Sequence, residues 1–589
     1  MGHTRENRGM NGSLNDPRSL TEHQLRAVDA EGNFFLVACP GSGKTRTGAV
    51  RFATLVGNGR RVAATSYTNV GVEQIRSVIT GELSMAIPPT SFVGTLHTFL
   101  LRYVFYPFGH LVMGCTQGPR LIAQDGAWRD VVFQGNNRVR ASLGYFRFLP
   151  DGSLCFRGEL PRGITSREEA ARIEQEQAKR MKQSYAKAGF ASLDDSMFWT
   201  LEVLRNHPAV ANAVAARFHE LQVDEAQDTS ELQLACLHEL CATGHLESLV
   251  LIGDIEQSIY SFQGASPEGC QALAGARGLE TIELSENHRS SQRICNVTVH
   301  FCARAEPDRA VGDSAECPWA PEIFLYDPER PEEAVDWFGD RLATVGIDAR
   351  DASVLARADR LVNELNGEAL KVKCDDRPLA LGRAAAAVRG SGTLRRRQMD
   401  AVDRVLAYTA WDTTDLGELD TDARRELRDV SMSLLKALPA LDSDLREWIR
   451  AAGREVDTHT AKLVGTAKHK AGHAIRSKSG QEGIIAADVF SSPPGRLRAQ
   501  TVHGVKGESR EAVLVVGDRG SRGREPQGVL WSRPLLGEAV AAEEAEELRI
   551  VFVALTRARR FCAVALPSDT SAEIVASFEA KGFSVANAD

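Results

Sequence analysis

The sequence predicts an α/β fold with two parallel-sheet lobes, each carrying a largely helical insertion. Short apolar strands alternate with helix-like stretches, a pattern typical of a parallel sheet wrapped by helices, and two long blocks interrupt this alternation. At 589 residues the chain is too long for a single core. The predicted segments are residues 1–100 and 218–290 for the first lobe, 101–217 for its helical insertion with a hairpin, 291–370 and 499–589 for the second lobe, and 371–498 for its helical insertion.

The first lobe opens with "NFFLVACPGSGKTRTGAVRFATLV", which predicts a strand, a glycine loop and a helix. "RVAATSYTNVGVEQIRSVI" repeats the pattern, and "FHELQVDEAQD" and "LESLVLIGDIEQSIYSF" resume it after the interruption. Inside the interrupting block, "YFRFLPDGSLCFRGEL" alternates around Pro150, Asp151 and Gly152 and predicts a hairpin. A highly charged helix, "REEAARIEQEQAKRMKQSYAKAGF", and an amphipathic helical pair, "SLDDSMFWTLEVLRNHPAVANAVAARF", are expected after it.

The second lobe contains "PEIFLYDPERPEEAVDWFGDRLATVG" and "ASVLARADRLVNELNGEAL", both of α/β type. Residues 371–498 are predicted to be mainly helical. The strand "RLRAQTVHGVKG" restores the sheet, and "ELRIVFVALTRARRFCAVAL" predicts a helix that leads into a last strand. We find no internal repeat at a fixed short period.

Composition narrows the class of protein. The chain is 43% hydrophobic and 25% charged, as soluble globular proteins are, and no window approaches eighteen uninterrupted apolar residues. The polar start, "MGHTRENRGMNGSLNDPRSL", predicts a flexible leader without a secretory signal. Eleven scattered cysteines without a CxxC pair favour reduced thiols in a cytoplasm over disulfides or structural zinc. We therefore expect a cytoplasmic protein with no membrane partner.

The segment "ACPGSGKT", Ala38–Thr45, follows a strand and opens a helix. Its glycines let backbone N–H groups close around phosphates, and the helix N-terminus adds partial positive charge. Lys44 is placed to reach the outer phosphates, and Thr45 is placed to bind Mg²⁺. Ala38 stands where the full pattern has glycine. The segment predicts a nucleotide phosphate site.

The strand end "LQVDEAQDTS" places two carboxylates side by side, Asp224 and Glu225. A solvated strand end is the ordinary interpretation of such a pair, but a phosphate loop needs a second, carboxylate-bearing strand for its metal. Asp224 is the candidate for holding Mg²⁺, which prefers oxygen ligands. Glu225 is placed to orient and deprotonate an attacking water. The two acids are interpreted as the hydrolytic half of an NTPase site.

At this point the chain resembles the UvrD/Rep group of superfamily 1 DNA helicases. Beyond the phosphate loop, eight motifs match in order along nearly the whole chain. The matching segments are "LTEHQLRAV", "ATSYTNVGVEQI", "VGTLHTF", "VDEAQDTS", "LIGDIEQSIYSFQGA", "LSENHRSSQRI", "TVHGVKGES" and "LRIVFVALTRARR". The resemblance implies two RecA-like lobes, ATP and Mg²⁺ as cofactors, and single-stranded and forked DNA as partners.

The resemblance also implies roles for single residues. Gln24 would hydrogen-bond the adenine, Gln257 would sense the γ-phosphate, and Arg289 and Arg557 would contact that phosphate from the two sides of a cleft. The catalytic set is Lys44, Glu225, Gln257, Arg289 and Arg557. The nucleotide-binding set is Gln24, Ala38, Cys39, Pro40, Gly41, Ser42, Gly43, Lys44, Thr45, Arg46, His288 and Glu508, with Thr45 and Asp224 for the metal. The DNA-binding set is Tyr67, Asn69, His97, Tyr260, Phe262, Thr501 and His503.

Three departures from the family pattern stand out. His288 replaces the usual tyrosine before Arg289, and Gln263 replaces an arginine in "FQG". "KGES" moves the ribose-contacting glutamate one place forward, to Glu508. The second insertion, residues 371–498, is also short for the family.

Two functions remain open from the sequence. The leading one is an ATP-driven translocase that moves 3′ to 5′ on single-stranded DNA and separates duplexes. The alternative is an ATPase subunit that senses DNA ends or nucleotides and controls a partner nuclease in anti-phage defence, because the compact size resembles the helicase subunit of Gabija-type systems, whose partner is an OLD-type nuclease. Net charge is −8, so DNA contacts must come from local patches. The basic runs 394–398 and 462–480 fit either phosphate contacts or a solvated face.

Overall fold

The computed structural model describes residues 20–122, 130–132, 140–158, 166–260, 264–366, 376–390, 394, 396–413, 416, 419, 421–470, 475–476, 483–490, 497–520 and 525–586. The chain forms two compact units. The first is Met1–Phe324 with Val502–Leu566 and Thr570–Asp589, and the second is Leu325–Thr501 with Pro567–Asp569. No helix in the described ranges is long and apolar enough to cross a bilayer. The division into two lobes and two insertions that the sequence predicts stays a prediction.

The first sheet has six strands, and every pairing in it is parallel. In spatial order the strands are Glu280–Leu284, Phe34–Ala38, Ser248–Gly253, Glu220–Asp224, Val62–Ser66 and Phe92–Thr95. Three of the six, Val62–Ser66, Glu220–Asp224 and Ser248–Gly253, are buried along their whole length, as is typical of a parallel sheet with both faces covered. The parallel direction brings the carboxyl ends of all six strands to one edge, where the loops that follow them meet.

The first unit also contains helices and short strands outside this sheet. The helices are Glu22–Asp29, Lys44–Gly57, Asn69–Arg76, Leu96–Leu100, Tyr106–Phe108, His110–Met113, Glu231–Ala242, Pro267–Ala276, Gln292–Thr298, Gln527–Leu536, Ala542–Leu555 and Ala572–Glu579, with π-helical turns at Ser77–Glu82 and Leu101–Phe105. Turns of 3₁₀ helix lie at Leu143–Tyr145, Ala226–Asp228, Ile255–Gln257, Val299–Phe301 and Val502–Val505. Short strands pair Arg120–Leu121 with Phe190–Ala191, Asp130–Val132 with Arg140–Ser142, and Glu286–Asn287 with Arg309–Ala310.

The block that interrupts the first sheet contains the predicted hairpin. Strands Phe146–Phe148 and Leu154–Phe156 pair antiparallel. Gly152 turns the chain with a φ of 79°, and Asp151 accepts the backbone N–H of Ser153 at 2.8 Å. The predicted helices are confirmed as Arg167–Lys187, Leu193–Asn206 and Pro208–Ala215.

The second sheet also has six strands, so the predicted α/β class with two parallel sheets is confirmed. Within the first unit Arg510–Val516 pairs with Ala558–Pro567, and Glu322–Tyr326 with Ser584–Val585. Within the second unit Ala352–Ala356 pairs with Ala499–Thr501. These three pairings are parallel, as the alternation of strands and helices predicted.

The second unit is mostly helical where it is described. Its helices are Glu332–Thr344, Asp359–Leu365, Asp376–Gly390, Arg396–Trp411, Thr421–Ala437, Leu445–Leu463 and Ala486–Phe490, with a 3₁₀ turn at Ala349–Asp351. The helices after residue 376 enclose their own core around the fully buried Trp448. The predicted helical character of residues 371–498 is confirmed for the described part of that segment.

A buried arginine ties three elements of the first lobe together. Arg51, in the helix Lys44–Gly57, donates to Glu220 Oε2 at 2.6 Å, and the two side chains are 4% and 3% exposed. Its Nη1 also donates to the carbonyl oxygens of Ala27, Val28 and Ala30, at the end of the first helix. Because the carboxylate, guanidinium and carbonyl groups are mutually satisfied, the burial is tolerated.

We expect Arg51→Met to destabilise the protein by about 3–5 kcal/mol, because it leaves the Glu220 carboxylate buried without a cation. Thermal unfolding of the variant measures this. The matched control is Arg60→Met, which breaks a 3.0 Å pair with Glu247 that is 50% and 60% exposed, and is expected to cost at most about 1 kcal/mol. Equal melting temperatures for the two variants would contradict the prediction.

Candidate nucleotide site

The phosphate-binding loop, residues 38–45, joins the strand Phe34–Ala38 to the helix Lys44–Gly57. Gly41 and Gly43 have φ angles of 73° and 76°, a region that favours glycine. Gly41 has a second requirement, since a Cβ atom there would lie 2.5 Å from Arg289 Cβ. The predicted succession of strand, glycine loop and helix is confirmed.

Two side-chain contacts join this loop to the end of the strand Glu220–Asp224. Lys44 Nζ donates to Glu225 Oε2 at 3.0 Å, and Thr45 Oγ1 donates to Asp224 Oδ2 at 3.0 Å. The Lys44 and Glu225 side chains are 12% and 17% exposed, so the ion pair is largely shielded from water. The structure thus brings together the four residues that the sequence assigned to phosphate, metal and water.

Glu225 is held in an uncommon conformation. Its φ is 55°, in the left-handed region, which is rare for a residue other than glycine and costs roughly 1–3 kcal/mol. Gln227 Nε2 donates to Glu225 Oε2 at 2.5 Å. Burial alone would raise the pKa of Glu225, but the ammonium groups of Lys44 and Lys506 outweigh it and lower the pKa. Glu225 is therefore an ionised carboxylate, as a base must be.

Two buried oxygen atoms at this junction lack a hydrogen-bond partner within the described residues, Asp224 Oδ1 and Ser42 Oγ. Burial, followed by the neighbouring Glu225 charge, raises the pKa of Asp224, and the Lys44 ammonium and the Thr45 hydroxyl oppose the effect. No group of three or more His, Cys, Asp or Glu side chains in the described chain could hold a metal by itself. Asp224 and Thr45 therefore fit Mg²⁺ that shares its coordination with water and phosphate oxygens.

Gln257 and Arg557, two of the predicted catalytic residues, are in direct contact. Arg557 Nη2 donates to Gln257 Oε1 at 3.0 Å, and Gln257 Nε2 donates to Asp254 Oδ2 at 2.8 Å. Arg557 is 2% exposed. Burial lowers the pKa of Arg557 to about 10, although Glu225 and Asp254 oppose the effect. A buried guanidinium next to Gln257 is positioned to receive negative charge.

Arg289 lies next to the phosphate loop. Arg289 Nη1 donates to the carbonyl oxygen of Thr556 at 3.0 Å, and the preceding His288 N–H donates to the carbonyl oxygen of Gly41 at 3.0 Å. Burial, then Arg557 and Arg559, lower the pKa of Arg289. The charge of Arg557 is thus close enough to influence Arg289 beside the phosphate loop.

The other predicted nucleotide residues have partners within the protein. Gln24 Nε2 donates to the carbonyl oxygen of Ser42 at 2.9 Å, while its Oε1 accepts the N–H of Thr21 at 3.0 Å. Arg46 pairs with Glu82 at 3.0 Å. The Glu508 carboxylate accepts from Arg510. The adenine and ribose contacts of Gln24, His288 and Glu508 stay predictions.

Aromatic rings predicted to contact DNA form a cluster. The ring centroids of Tyr67 and Tyr260 are 5.5 Å apart, and Tyr260 Oη donates to the carbonyl oxygen of His503 at 3.3 Å. Tyr67, Asn69 and His97 line a cavity of about 600 Å³. Phe262 lies outside the described residues, and Thr501 belongs to the second unit.

Lys506 and Arg304 are among the residues with direct contacts to this site that were not assigned from the sequence. Lys506 Nζ donates to Asp228 Oδ2 and to the carbonyl oxygen of Gln257, both at 2.6 Å, and lies 4.8 Å from the centroid of the Tyr260 ring. It falls inside the quoted segment "TVHGVKGES", so the motif itself was the available signal. Arg304 contacts Asp254, and no sequence pattern marked it.

These features define the class. A glycine loop at the carboxyl edge of a parallel sheet, facing a strand that ends in paired carboxylates, is the arrangement of P-loop NTPases.

Comparison with known proteins finds similarity to helicases. The UvrD/REP helicase N-terminal domain matches residues 20–113 and 157–275. The chain is 28% identical over 294 residues to DNA helicase II of Escherichia coli (strain K12), covering 47% of this chain and 39% of that protein. It is 26% identical over 299 residues to DNA helicase II of Haemophilus influenzae, with the same coverage. It is 39% identical over 124 residues to the exonuclease/helicase subunit RexA of Streptococcus pneumoniae serotype 4, covering 20% of this chain.

The chain is thus similar to UvrD/Rep-type helicases over part of its length, in keeping with the resemblance of its motifs. The matched segments span only 10% of the length of RexA and 39% of the length of the two DNA helicases.

Proposed function

We propose that the chain is an ATP-dependent DNA helicase that couples ATP hydrolysis to movement along single-stranded DNA. The observation that carries the proposal is the junction of Lys44 with Glu225 and of Thr45 with Asp224, each at 3.0 Å. The phosphate-binding loop, the proposed metal ligand and the proposed general base therefore lie together in one compact unit. The similarity to proteins named DNA helicase II supports DNA as the polymer.

The residues divide the hydrolytic work between them. Lys44 binds the outer phosphates in place of the Glu225 carboxylate, and the freed carboxylate orients the attacking water and accepts its proton. Bound Mg²⁺ would neutralise charge on the β- and γ-phosphate oxygens. Arg289 and Arg557 donate to the γ-phosphoryl oxygens as their charge develops.

The coupling to DNA runs through Lys506. Its ammonium contacts Asp228, three residues after Glu225, and the carbonyl oxygen of Gln257. The same ammonium lies over the ring of Tyr260, which contacts Tyr67 and His503. A DNA strand whose bases stack on these rings therefore shifts the Lys506 ammonium. This ammonium contacts both Asp228, close to Glu225, and the backbone of Gln257, the proposed γ-phosphate sensor. The direction of movement, 3′ to 5′, follows from the family resemblance and is part of the proposal.

An ATPase assay with and without single-stranded DNA, followed by strand separation on a forked duplex, tests the proposal. We expect hydrolysis that DNA stimulates and separation that requires ATP. Lys44→Ala is the matched inactive control, because it removes the charge that binds the outer phosphates. Hydrolysis that ignores DNA, together with an intact fork, would overturn the proposal.

A second function is favoured by one comparison. The relative RexA is named as an exonuclease/helicase component, and the chain matches 10% of its length. An ATPase that senses DNA ends and controls a partner nuclease in anti-phage defence would use the same nucleotide site. Co-purification with a nuclease of OLD type, combined with little separation by the chain alone, would favour this second function.

The aromatic cluster gives a prediction for DNA affinity. We expect Tyr67→Ala to weaken single-stranded DNA binding by about 5- to 150-fold, since base stacking on an aromatic ring contributes roughly 1–3 kcal/mol. Fluorescence anisotropy with a labelled oligonucleotide measures this. Tyr145→Ala removes a ring that is 44% exposed elsewhere in the first unit and is expected to change nothing. Identical affinities for the two variants would rule out stacking on Tyr67.

A further inference from the structure

Arg304 lies outside every motif described above, in the loop between the 3₁₀ turn Val299–Phe301 and the strand Arg309–Ala310. Its guanidinium makes three kinds of polar contact. Nη2 lies 2.7 Å from Asp254 Oδ2, and Nη1 lies 3.0 Å from Asp308 Oδ2. Nη2 also donates to the carbonyl oxygen of Ala38, the first residue of the phosphate loop, at 3.3 Å. One side chain thus reaches the phosphate loop and two carboxylates.

Asp254 connects Arg304 to the predicted γ-phosphate sensor. Its side chain is 2% exposed, so each carboxylate oxygen must be satisfied by the protein. Oδ2 accepts from Arg304 and, at 2.8 Å, from Gln257 Nε2, while Oδ1 accepts the N–H of Glu256 at 3.1 Å. The carboxylate is therefore held between a guanidinium on one side and the Gln257 amide on the other.

The two neighbours of Gln257 determine which way its amide points. An ionised carboxylate only accepts hydrogen bonds, so Asp254 selects the Nε2 end of the amide. A guanidinium only donates, so Arg557 selects the Oε1 end, at 3.0 Å. Arg304, Asp254, Gln257 and Arg557 thus form a row in which every donor meets an acceptor. We call these four residues the sensor row.

We propose that Arg304 is a positioning residue for hydrolysis: it holds the Asp254 carboxylate in place, so that Gln257 in turn fixes Arg557 for the γ-phosphate. The inference rests on the proposed ATPase function. Arg304 itself contacts Asp254, Asp308 and the carbonyl oxygen of Ala38, and its effect on Gln257 and Arg557 runs through Asp254.

The chemistry of the sensor row explains why position 304 is an arginine. Without Arg304, the buried Asp254 carboxylate would lose the charged partner that holds Oδ2 in place beside Gln257. The Gln257 amide would then be free to turn, and Arg557 would lose its fixed acceptor. Lysine could replace the charge at Asp254, but its single ammonium lacks the planar fork that joins Asp254, Asp308 and Ala38.

The test compares Arg304→Gln, Arg304→Lys, Gln257→Ala and the double variant Arg304→Gln/Gln257→Ala in DNA-stimulated ATP hydrolysis. For Arg304→Gln we expect kcat to fall about 10- to 100-fold, as for other losses of a positioning contact, with KM for ATP and ADP affinity changed less than threefold. Arg304→Lys should recover part of the loss. In the Gln257→Ala background the Arg304→Gln change should cost less than twofold, because the row is already broken.

Arg26→Gln is the control, since Arg26 forms a 3.3 Å pair with Glu280 that is 68% and 66% exposed in the same unit. Asp308→Asn is a milder second variant, should Arg304→Gln melt at a much lower temperature. It removes one anchor of the guanidinium and should lower kcat a few-fold, again without effect in the Gln257→Ala background.

Four results would contradict the inference about Arg304. The inference would be overturned if the losses of kcat in Arg304→Gln and Gln257→Ala multiplied in the double variant. A fall in ADP affinity that matches the fall in kcat would also overturn it. Either result would leave Arg304 a structural residue. Arg304→Gln kinetics equal to those of Arg26→Gln would overturn it as well, with the proposed function intact. A wild-type chain that does not hydrolyse ATP would overturn the proposed function, and the inference with it.

Discussion

Glu225→Gln is expected to lower ATP turnover by about 10²- to 10⁴-fold, the usual effect of losing a general base, while ATP affinity stays equal or rises. The amide is nearly the same size as the carboxylate but cannot accept the proton of the attacking water. In the structure Lys44 donates to Glu225 at 3.0 Å, so the carboxylate competes with phosphate oxygens for this ammonium. Removing the negative charge removes that competition.

Lys44→Ala should have the opposite signature. It removes the charge that binds the outer phosphates, so ATP affinity falls together with turnover. Isothermal titration with ATP and steady-state hydrolysis separate the two variants. Glu247→Gln, whose side chain is 60% exposed and pairs with Arg60, is the matched control and should behave as wild type. Near-normal turnover in Glu225→Gln would show that another group takes the proton.

Much of this hydrolytic site could be predicted from the sequence, because its parts are local. The phosphate loop follows from "GSGKT" between a strand and a helix, and the carboxylate pair from its position at a strand end. What brings them together is the parallel sheet, in which Phe34–Ala38 and Glu220–Asp224 are separated by one strand. Parallel strands align their carboxyl ends, so a correct fold class was sufficient to place Lys44 near Glu225.

The remaining contacts could not be predicted in the same way. Arg304 reaches Asp254 from a loop 50 positions later in the chain. Lys506 reaches Asp228 across 278 positions. Such pairs depend on how loops fold over the edge of the sheet, and a single arginine or lysine in a loop carries no periodicity that would mark it. Gln24 illustrates the converse, because its motif was evident but its bonds to Ser42 and Thr21 were not.

Arg289 and Arg557 should behave as one unit, and each single Arg→Ala variant should lose about 10³-fold or more in turnover. The structure adds a physical reason. Neither guanidinium forms an ion pair with a carboxylate of the described chain. Arg289 donates to the Thr556 carbonyl oxygen, and Arg557 donates to the Val553 carbonyl oxygen and the Gln257 amide oxygen, each at 3.0 Å. Burial and the mutual repulsion of the arginines lower the pKa of Arg289. Two poorly compensated cations next to the phosphate loop provide the charge that a γ-phosphoryl group requires.

The pattern of the variants discriminates this role from a structural one. ADP affinity should change little in either single variant, since ADP lacks the group that the arginines contact. Turnover of the double variant should be hardly lower than that of either single variant, because one arginine alone no longer holds the γ-phosphoryl group. Lysine at either position should rescue poorly, since the planar fork donates to two oxygens at once and an ammonium is a point charge.

ATPase turnover and ADP titration of both alanine variants, the double and both lysine variants provide the measurement. Arg559→Ala is the matched control, because Arg559 is close enough to affect the pKa of Arg289 but its own side chain is 50% exposed and lies 3.8 Å from Glu511. It should lose only a small part of the activity. Losses that multiply in the double variant, or a large fall in ADP affinity, would place these arginines elsewhere on the nucleotide or in the framework of the fold.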